Sequence, residues 1–507
     1  MSADARGTER ARLRRALGLQ GAVAVGVGGT IGGGIFVLVG QASALAGPAA
    51  LLSFALAFVA AVVIALPYAE LACRYPQAGG GYAFVREVLG SRWGFMMGWI
   101  FCGSYVFVSG YVTLGFGGYL NVLTGLPQVW CAVALVFACV LVNARGVEAA
   151  GKAQVIVIGL AIAGLLGFAA AGAPAIQLTR LTPWAPGGFT GILTGALVAF
   201  LAFGGFDMVA AAGEEIDRPE KNLPRAILLT LAIVLGIYLV VAFTALGTVG
   251  WRTLGASPAP LSAAARQFMG DSGGRLVAAI AVVTTAATAN AVLVVTSRII
   301  FAMARDGLLP SPLARVDPKT GTPDVATIVS GGMLITMALF GSSSSATAVG
   351  GFLYVLHFVP PLLVLVTLRR DKSVSPVFRM PLPHILLPLA FVMTALLLVA
   401  SGTKGISGGA IWIVMGLLAC SNRRKSRRDG HRSRYAGHRV WAANRITARR
   451  PEVLHRPLSV DHDPSCGHSR GSPSAPTGPP RRQWRSRASQ RAGTRVARRA
   501  SRLIARP

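Results

Sequence analysis

The fifteen residues from Gly26 to Gly40 read GVGGTIGGGIFVLVG and carry seven glycines, inside an apolar stretch long enough to cross a bilayer. A continuous membrane helix gains nothing from that density, because each glycine weakens a helix by about 1 kcal/mol relative to alanine. Unpaired backbone groups are costly in hydrocarbon, so a break there must face protein, water or a ligand. Close helix packing through small residues accounts for Gly28 and Gly32, four apart, but not for the run Gly32-Gly33-Gly34. The stretch therefore reads as a helix broken in order to hold a small solute.

The surrounding chain fixes the class. Its 507 residues are 53% hydrophobic and 13% charged, with a mean hydropathy of +0.58. Apolar segments fall near 19–42, 49–71, 93–120, 128–144, 153–173, 189–212, 226–249, 275–301, 323–340, 347–368, 383–402 and 406–420. Most reach the ~20 residues that a spanning helix needs, and the last, at fifteen, is marginal. This is an all-α polytopic membrane protein with about 12 spans. Residues 1–18 form a cytoplasmic N-terminal segment, 19–420 the membrane domain and 421–507 a disordered arginine-rich tail. The six cysteines lack a CxxC pair and mostly sit in apolar runs, so neither a disulfide framework nor a zinc site is expected. HExxH and phosphate-loop motifs are absent, which argues against a zinc hydrolase or an ATP-driven pump; neither an enzyme nor a cofactor is expected.

The net charge of +30 is mostly tail: from Ser421 onward the net is +19, before it +11. With the N-terminus inside, 21 basic residues of the first 420 residues fall on the cytoplasmic side and 5 outside. That bias orients the chain in the cytoplasmic membrane, with both termini cytoplasmic if all twelve segments span. Among the inner loops, Pro76-Gln77-Ala78-Gly79-Gly80-Gly81-Tyr82 is expected to be a turn. Glu214 and Glu215 read as cytoplasmic gate or capping groups after the sixth segment.

That sixth segment, FLAFGGFDMVAAAGEE from Phe200, has a second interruption at Gly204-Gly205, followed at once by Asp207. An ionisable residue at membrane depth is a functional candidate by default. Asp207 either contacts a substrate or bonds amides freed by the break. Segments one and six hold corresponding places in two blocks of five, the pattern of a repeat transporter with its site at midplane. Unwinding leaves carbonyls unpaired at the end of one half-helix and amides at the start of the next. Amides attract a carboxylate and carbonyls an ammonium, and a zwitterionic α-amino acid presents both. Gly32, Gly33 and Gly34 carry no side chains to obstruct the carboxylate, while carbonyls near Leu201, Phe203 and Gly204, helped by Thr30 and Ile31, suit the ammonium.

TIGGGIFVLVG, PYAELACRYPQAGGGYAFVREVLG, FLAFGGFDMVAAAGEEIDRPEKNLPRAI and SRIIFAMARDGLLP together resemble the amino acid–polyamine–organocation superfamily of permeases. The likeness is greatest to bacterial amino acid permeases related to cationic amino acid transporters and runs from about residue 15 to about 418. It implies the LeuT-type fold, two inverted five-helix repeats plus two additional helices, working by secondary-active transport. It also implies that the carboxylate meets amides of Gly32, Gly33 and Gly34, that the amine meets carbonyls of Ile31, Leu201 and Gly204, and that Phe203 lies near the substrate. Some proton-coupled relatives carry a lysine in the fifth helix; residues 153–179 here contain no charge, Gly159 stands nearest that position, and Lys152 lies close to the cytoplasmic end. Proton coupling stays open, with Asp207 and then Glu70 as the coupling or gating candidates.

Weaker polar signals are Ser104, Tyr105 and Thr113 in the third segment and Thr284, Thr285, Thr288 and Asn290 in the eighth. Membrane threonines usually bond their own backbone, so each alone reads as structural. His357 reads as a satisfied interior histidine, and Glu70 as a partner for a loop arginine, Arg74 or Arg86. The tail fits anionic lipid through Arg423-Arg424-Lys425, or has no selected function; its composition also suits an out-of-frame reading of a GC-rich gene. No RNA-recognition signature accompanies it, so no specific nucleic acid partner is expected. The expected partners are thus an amino acid substrate and the lipid bilayer. A polyamine or organic-cation carrier, an amino acid exchanger and a non-transporting sensor are the alternatives.

Overall fold

The structure, a computed structural model, describes residues 17–74, 80–145, 150–211, 216–318, 320–370 and 378–420. The first apolar segment forms two helices, α1 (Leu19–Thr30) and α2 (Gly33–Ala46), and α3 (Ala50–Arg74), α4 (Gly80–Leu89), α5 (Ser91–Thr124), α6 (Gln128–Ala144) and α7 (Ala150–Gly172) follow. The sixth segment is again divided, into α8 (Gly188–Ala202) and α9 (Phe206–Ala211). Then come α10 (Pro219–Val249), α11 (Trp251–Ala256), α12 (Pro260–Arg305) and α13 (Asp324–Phe340). The tenth segment is α14 (Ser343–Leu356) and α15 (Val359–Arg370), followed by α16 (Pro383–Ala400) and α17 (Gly402–Cys420). Among the described residues the only extended pairing is a single bridge between Leu17 and Ile216.

Eight of these helical stretches are long and apolar enough to cross a membrane by length and composition; α6, α8 and α13 are apolar but shorter. Their exposed flanks are themselves hydrophobic, with Ile156 and Val399 each 72% exposed and Phe137 58%. Such side chains favour lipid over water, so the molecule is a multi-pass membrane protein.

Three local expectations change. The last helix starts four residues before its apolar run, at Gly402 with φ 66°, and is 19 residues long rather than fifteen. Gly80, Gly81 and Tyr82 open the short helix α4 instead of extending a turn; residues 75–79 lie outside the described residues. The tenth segment is broken as well. Pro360 and Pro361 have no N–H to give to carbonyls one turn back, so the chain restarts as α15 with both prolines in its first turn.

The packing repeats with a shift of five segments. α1 packs on α10 in the way α8 packs on α3, and α5 meets α14 as α12 meets α7. The pairs α3–α10, α5–α12 and α6–α13 join corresponding members of the two blocks. The shift sets the two broken first members, α1/α2 and α8/α9, against each other, with α2 on α8 and α1 on α9.

Candidate functional site

At the first break the helix ends as expected for unwinding. Ile31 N–H still donates to Val27 O at 2.7 Å, but Ile31 then turns to ψ 81° and Gly32 is extended, donating to Thr30 O at 2.9 Å. The first amide of α2, Gly33 N–H, donates to Thr288 Oγ1 at 2.8 Å, so a hydroxyl from α12 caps α2 from across the bundle. A Cβ on Gly32 would lie 2.6 Å from that same oxygen.

The second break rests on the first. Gly204 N–H folds back to Leu201 O at 3.1 Å, and Gly205 takes φ 123°, a conformation that side-chain-bearing residues avoid. A Cβ on Gly205 would stand 2.5 Å from Gly29 O and 2.9 Å from Thr30 N, so here backbone meets backbone. Behind the junction the buried Tyr238 hydroxyl lies 3.0 Å from both Thr30 O and Ala202 O, sharing its one hydrogen between the last carbonyls of α1 and α8.

Between the breaks lies a cavity of about 100 Å³. Ile31, Gly32, Leu201 and Gly204 of the expected site line it, together with Gly28, Gly29 and Gly205. Gly33 and Gly34 lie just behind the wall, Gly33 backed by Thr285 and Gly34 by Ala202. Phe203 points elsewhere: it is fully buried, with its ring 5.5 Å from Tyr238 and 6.3 Å from Phe58. The aromatic walls are Tyr105, Tyr111 and Tyr354 instead. Of these only Tyr105 carried a signal in the sequence. Tyr354 had none, because its place beside the site depends on the tenth segment packing over α8 and α9. Thr284 and Thr288 also line the cavity, while Thr285 and Thr113 bond carbonyls of their own helices.

Asp207 is 5% exposed and stands behind the tyrosines rather than in the wall. Its Oδ1 accepts from Gly205 N–H at 3.2 Å and from Tyr354 Oη at 3.5 Å, and the Tyr105 hydroxyl also reaches the carboxylate. It therefore bonds an amide freed by the break and ties α9 to α5 and α14.

Glu70 lies apart from the cavity. Its Oε2 accepts from Arg369 Nη2 at 2.6 Å and from Met380 N–H at 2.9 Å, so its partner is at the end of α15 and is neither Arg74 nor Arg86. Arg86 pairs with Asp306 beyond the end of α12, where Tyr82 Oη also donates to Asp306 Oδ2 at 2.7 Å. Burial and that carboxylate push the Tyr82 phenol up, which keeps it a donor. Glu214 and Glu215 fall outside the described residues.

His357 is an interior residue, fully buried at the break of the tenth segment among the rings of Phe101, Tyr354 and Phe358, with the Tyr354 backbone as its polar neighbour. Among the described residues no group of three or more His, Cys, Asp or Glu is placed to hold a metal ion.

Comparison with known proteins agrees with this architecture. Residues 17–420 match the family described as Amino acid permease. The branched-chain amino acid permease BcaP of Bacillus subtilis is 29% identical over 435 residues, covering 80% of this chain and 92% of that protein. An uncharacterized transporter of Mycobacterium tuberculosis is 31% identical over 421 residues, covering 81% of this chain and 92% of its own. Human cationic amino acid transporter 4 is 31% identical over 399 residues, covering 73% of this chain and 62% of that one. The chain accordingly belongs to the amino acid permease family, within the amino acid–polyamine–organocation superfamily, and is a membrane transporter rather than an enzyme.

Proposed function

We propose that the cavity holds an α-amino acid by its backbone groups and that the protein carries it across the cytoplasmic membrane by alternating access. The observation that supports this most is the meeting of two helix breaks, with Gly205 of one against Gly29 and Thr30 of the other, at the cavity wall. On this reading the carboxylate takes the N-terminus of α2, accepting from Gly33 and its neighbours Gly32 and Gly34. At Gly33 it takes the place of the Thr288 hydroxyl. The ammonium lies against the carbonyl ends of α1 and α8, at Ile31, Leu201 and Gly204. The relatives' names support the same division of labour. One names branched-chain and another cationic amino acids, and what such substrates share is the backbone.

The two halves then rock about the breaks. Substrate bound to both α1/α2 and α8/α9 favours whichever arrangement brings their free polar groups together, which is the differential affinity that alternating access requires. The excess of basic residues on one side supports a cytoplasmic position for both termini if all twelve segments span.

The test uses the full chain in liposomes. Once a transported amino acid is found, its decarboxylated and its N-acetylated analogues should each compete at least tenfold more weakly. Each lacks one charge-assisted contact, worth about 1.5–3 kcal/mol, and tenfold corresponds to about 1.4 kcal/mol. Equal competition by the decarboxylated amine would make the protein an organic-cation carrier.

A further inference from the structure

We infer that the amino acid taken by this cavity has a neutral, apolar side chain, and that Ala287 and Ala291 of α12 limit its size; this rests on the backbone-recognition reading above. With carboxylate and ammonium at the two breaks, the side chain must face the remaining walls. One is a single stripe of α12, in which Ala287, Thr288, Ala291 and Val292 recur at helical spacing. Tyr105 and Val108 of α5 with Ile158 of α7 make a further part of the lining.

Among the described residues lining this cavity none is Asp, Glu, Lys, Arg or His. The threonine hydroxyls there each give their hydrogen to a carbonyl of their own helix. Thr284 donates to Ile280 O at 2.8 Å and Thr288 to Thr284 O at 2.9 Å. Asp207, the buried carboxylate closest in sequence to the second break, is held by Gly205 N–H and Tyr354 Oη behind the wall. A lysine or arginine side chain would leave water and meet no carboxylate in the lining, and a glutamate no cation, which is the costly way to bury a charge. An aliphatic chain gains from the same surface, since removing apolar area from water is favourable. The two alanines, one turn apart, project only a methyl each, and that leaves the room a branched side chain would fill.

The experiment reconstitutes the full chain in liposomes and follows counterflow of labelled leucine and, in parallel, labelled lysine and labelled alanine. Isoleucine, valine and methionine should compete for leucine entry at least tenfold more strongly than lysine, arginine or glutamate. Ala291→Leu should cut leucine entry at least tenfold relative to alanine entry, and Ala287→Asp should raise lysine competition relative to leucine. Retained alanine entry shows that Ala291→Leu is folded, and an unaltered gel-filtration profile shows it for Ala287→Asp. Lysine entering as well as leucine overturns the neutral side chain while leaving backbone recognition standing. Equal loss of leucine and alanine in Ala291→Leu overturns the size limit. Entry of no labelled amino acid overturns the inference together with the reading beneath it.

Discussion

Thr288 lies 255 residues from the amide it accepts, and no local pattern announces that bond. Its hydroxyl donates back to Thr284 O, the usual habit of a membrane threonine, so its composition and place in the helix suggest structure alone. Only the approach of α12 to the start of α2 turns the same oxygen outward as an acceptor. Thr288→Val removes the acceptor and leaves Gly33 N–H unpaired, at a cost of about 1–3 kcal/mol. We expect the purified variant to melt at a lower temperature than wild type without substrate. It should gain more on saturation, because a bound carboxylate supplies the missing acceptor in the variant and merely replaces a hydroxyl in wild type. A substrate-induced shift equal to that of wild type would separate Gly33 from the carboxylate. At this scale the glycines were legible and their partners were not. Gly32-Gly33-Gly34 mark a break by what they lack, whereas Thr288, Tyr354 and Ala291 matter by what the fold brings opposite them.

At the level of elements, a break written in glycine is easier to read than one written in proline when both sit in apolar runs. The glycine breaks at α1/α2 and α8/α9 stand at matching places in two blocks, and that correspondence carries the signal. Pro360-Pro361 is visible too, but prolines are frequent in membrane helices and often leave them continuous, as Pro67 leaves α3. The glycine breaks also differ in tolerance. Gly205→Ala puts a methyl into a φ of 123° and against Gly29 O on a facing backbone that cannot rotate away. Gly236→Ala, in the middle of α10, meets nothing within 4 Å and replaces glycine with the better helix former. We expect Gly205→Ala to abolish exchange and to lower thermal stability, with Gly236→Ala unchanged in exchange and equal or higher in stability. Normal exchange by Gly205→Ala, measured beside that control, would mean that the two breaks separate freely and that their contact is not part of the site.

For the whole molecule, the proposed transport needs a link between a small binding event and the movement of two five-helix blocks, and we propose Asp207 for that work. It is the second residue of α9, just after the break in the first helix of the second block. Its hydrogen-bonding neighbours are Tyr105 of α5 in the first block and Tyr354 of α14 at the far end of the second. A carboxylate there accepts from the tyrosines when ionised and donates one hydrogen when protonated, so a proton changes which hydrogen bonds tie α9 to its neighbours. Glu70 serves this purpose less well, because it lies apart from the cavity, paired with Arg369 and Met380 N–H. Since Asp207 stands behind the cavity wall, losing its charge should spare substrate binding. If a proton drives transport, Asp207→Asn should abolish accumulation driven by a pH gradient while counterflow exchange stays measurable. An exchanger that needs no ion would instead show no pH-driven accumulation even as wild type. The measurement is net uptake and exchange in the same liposomes under an imposed pH gradient, for wild type and variant. Accumulation that persists undiminished in Asp207→Asn would place the coupling proton on some other group.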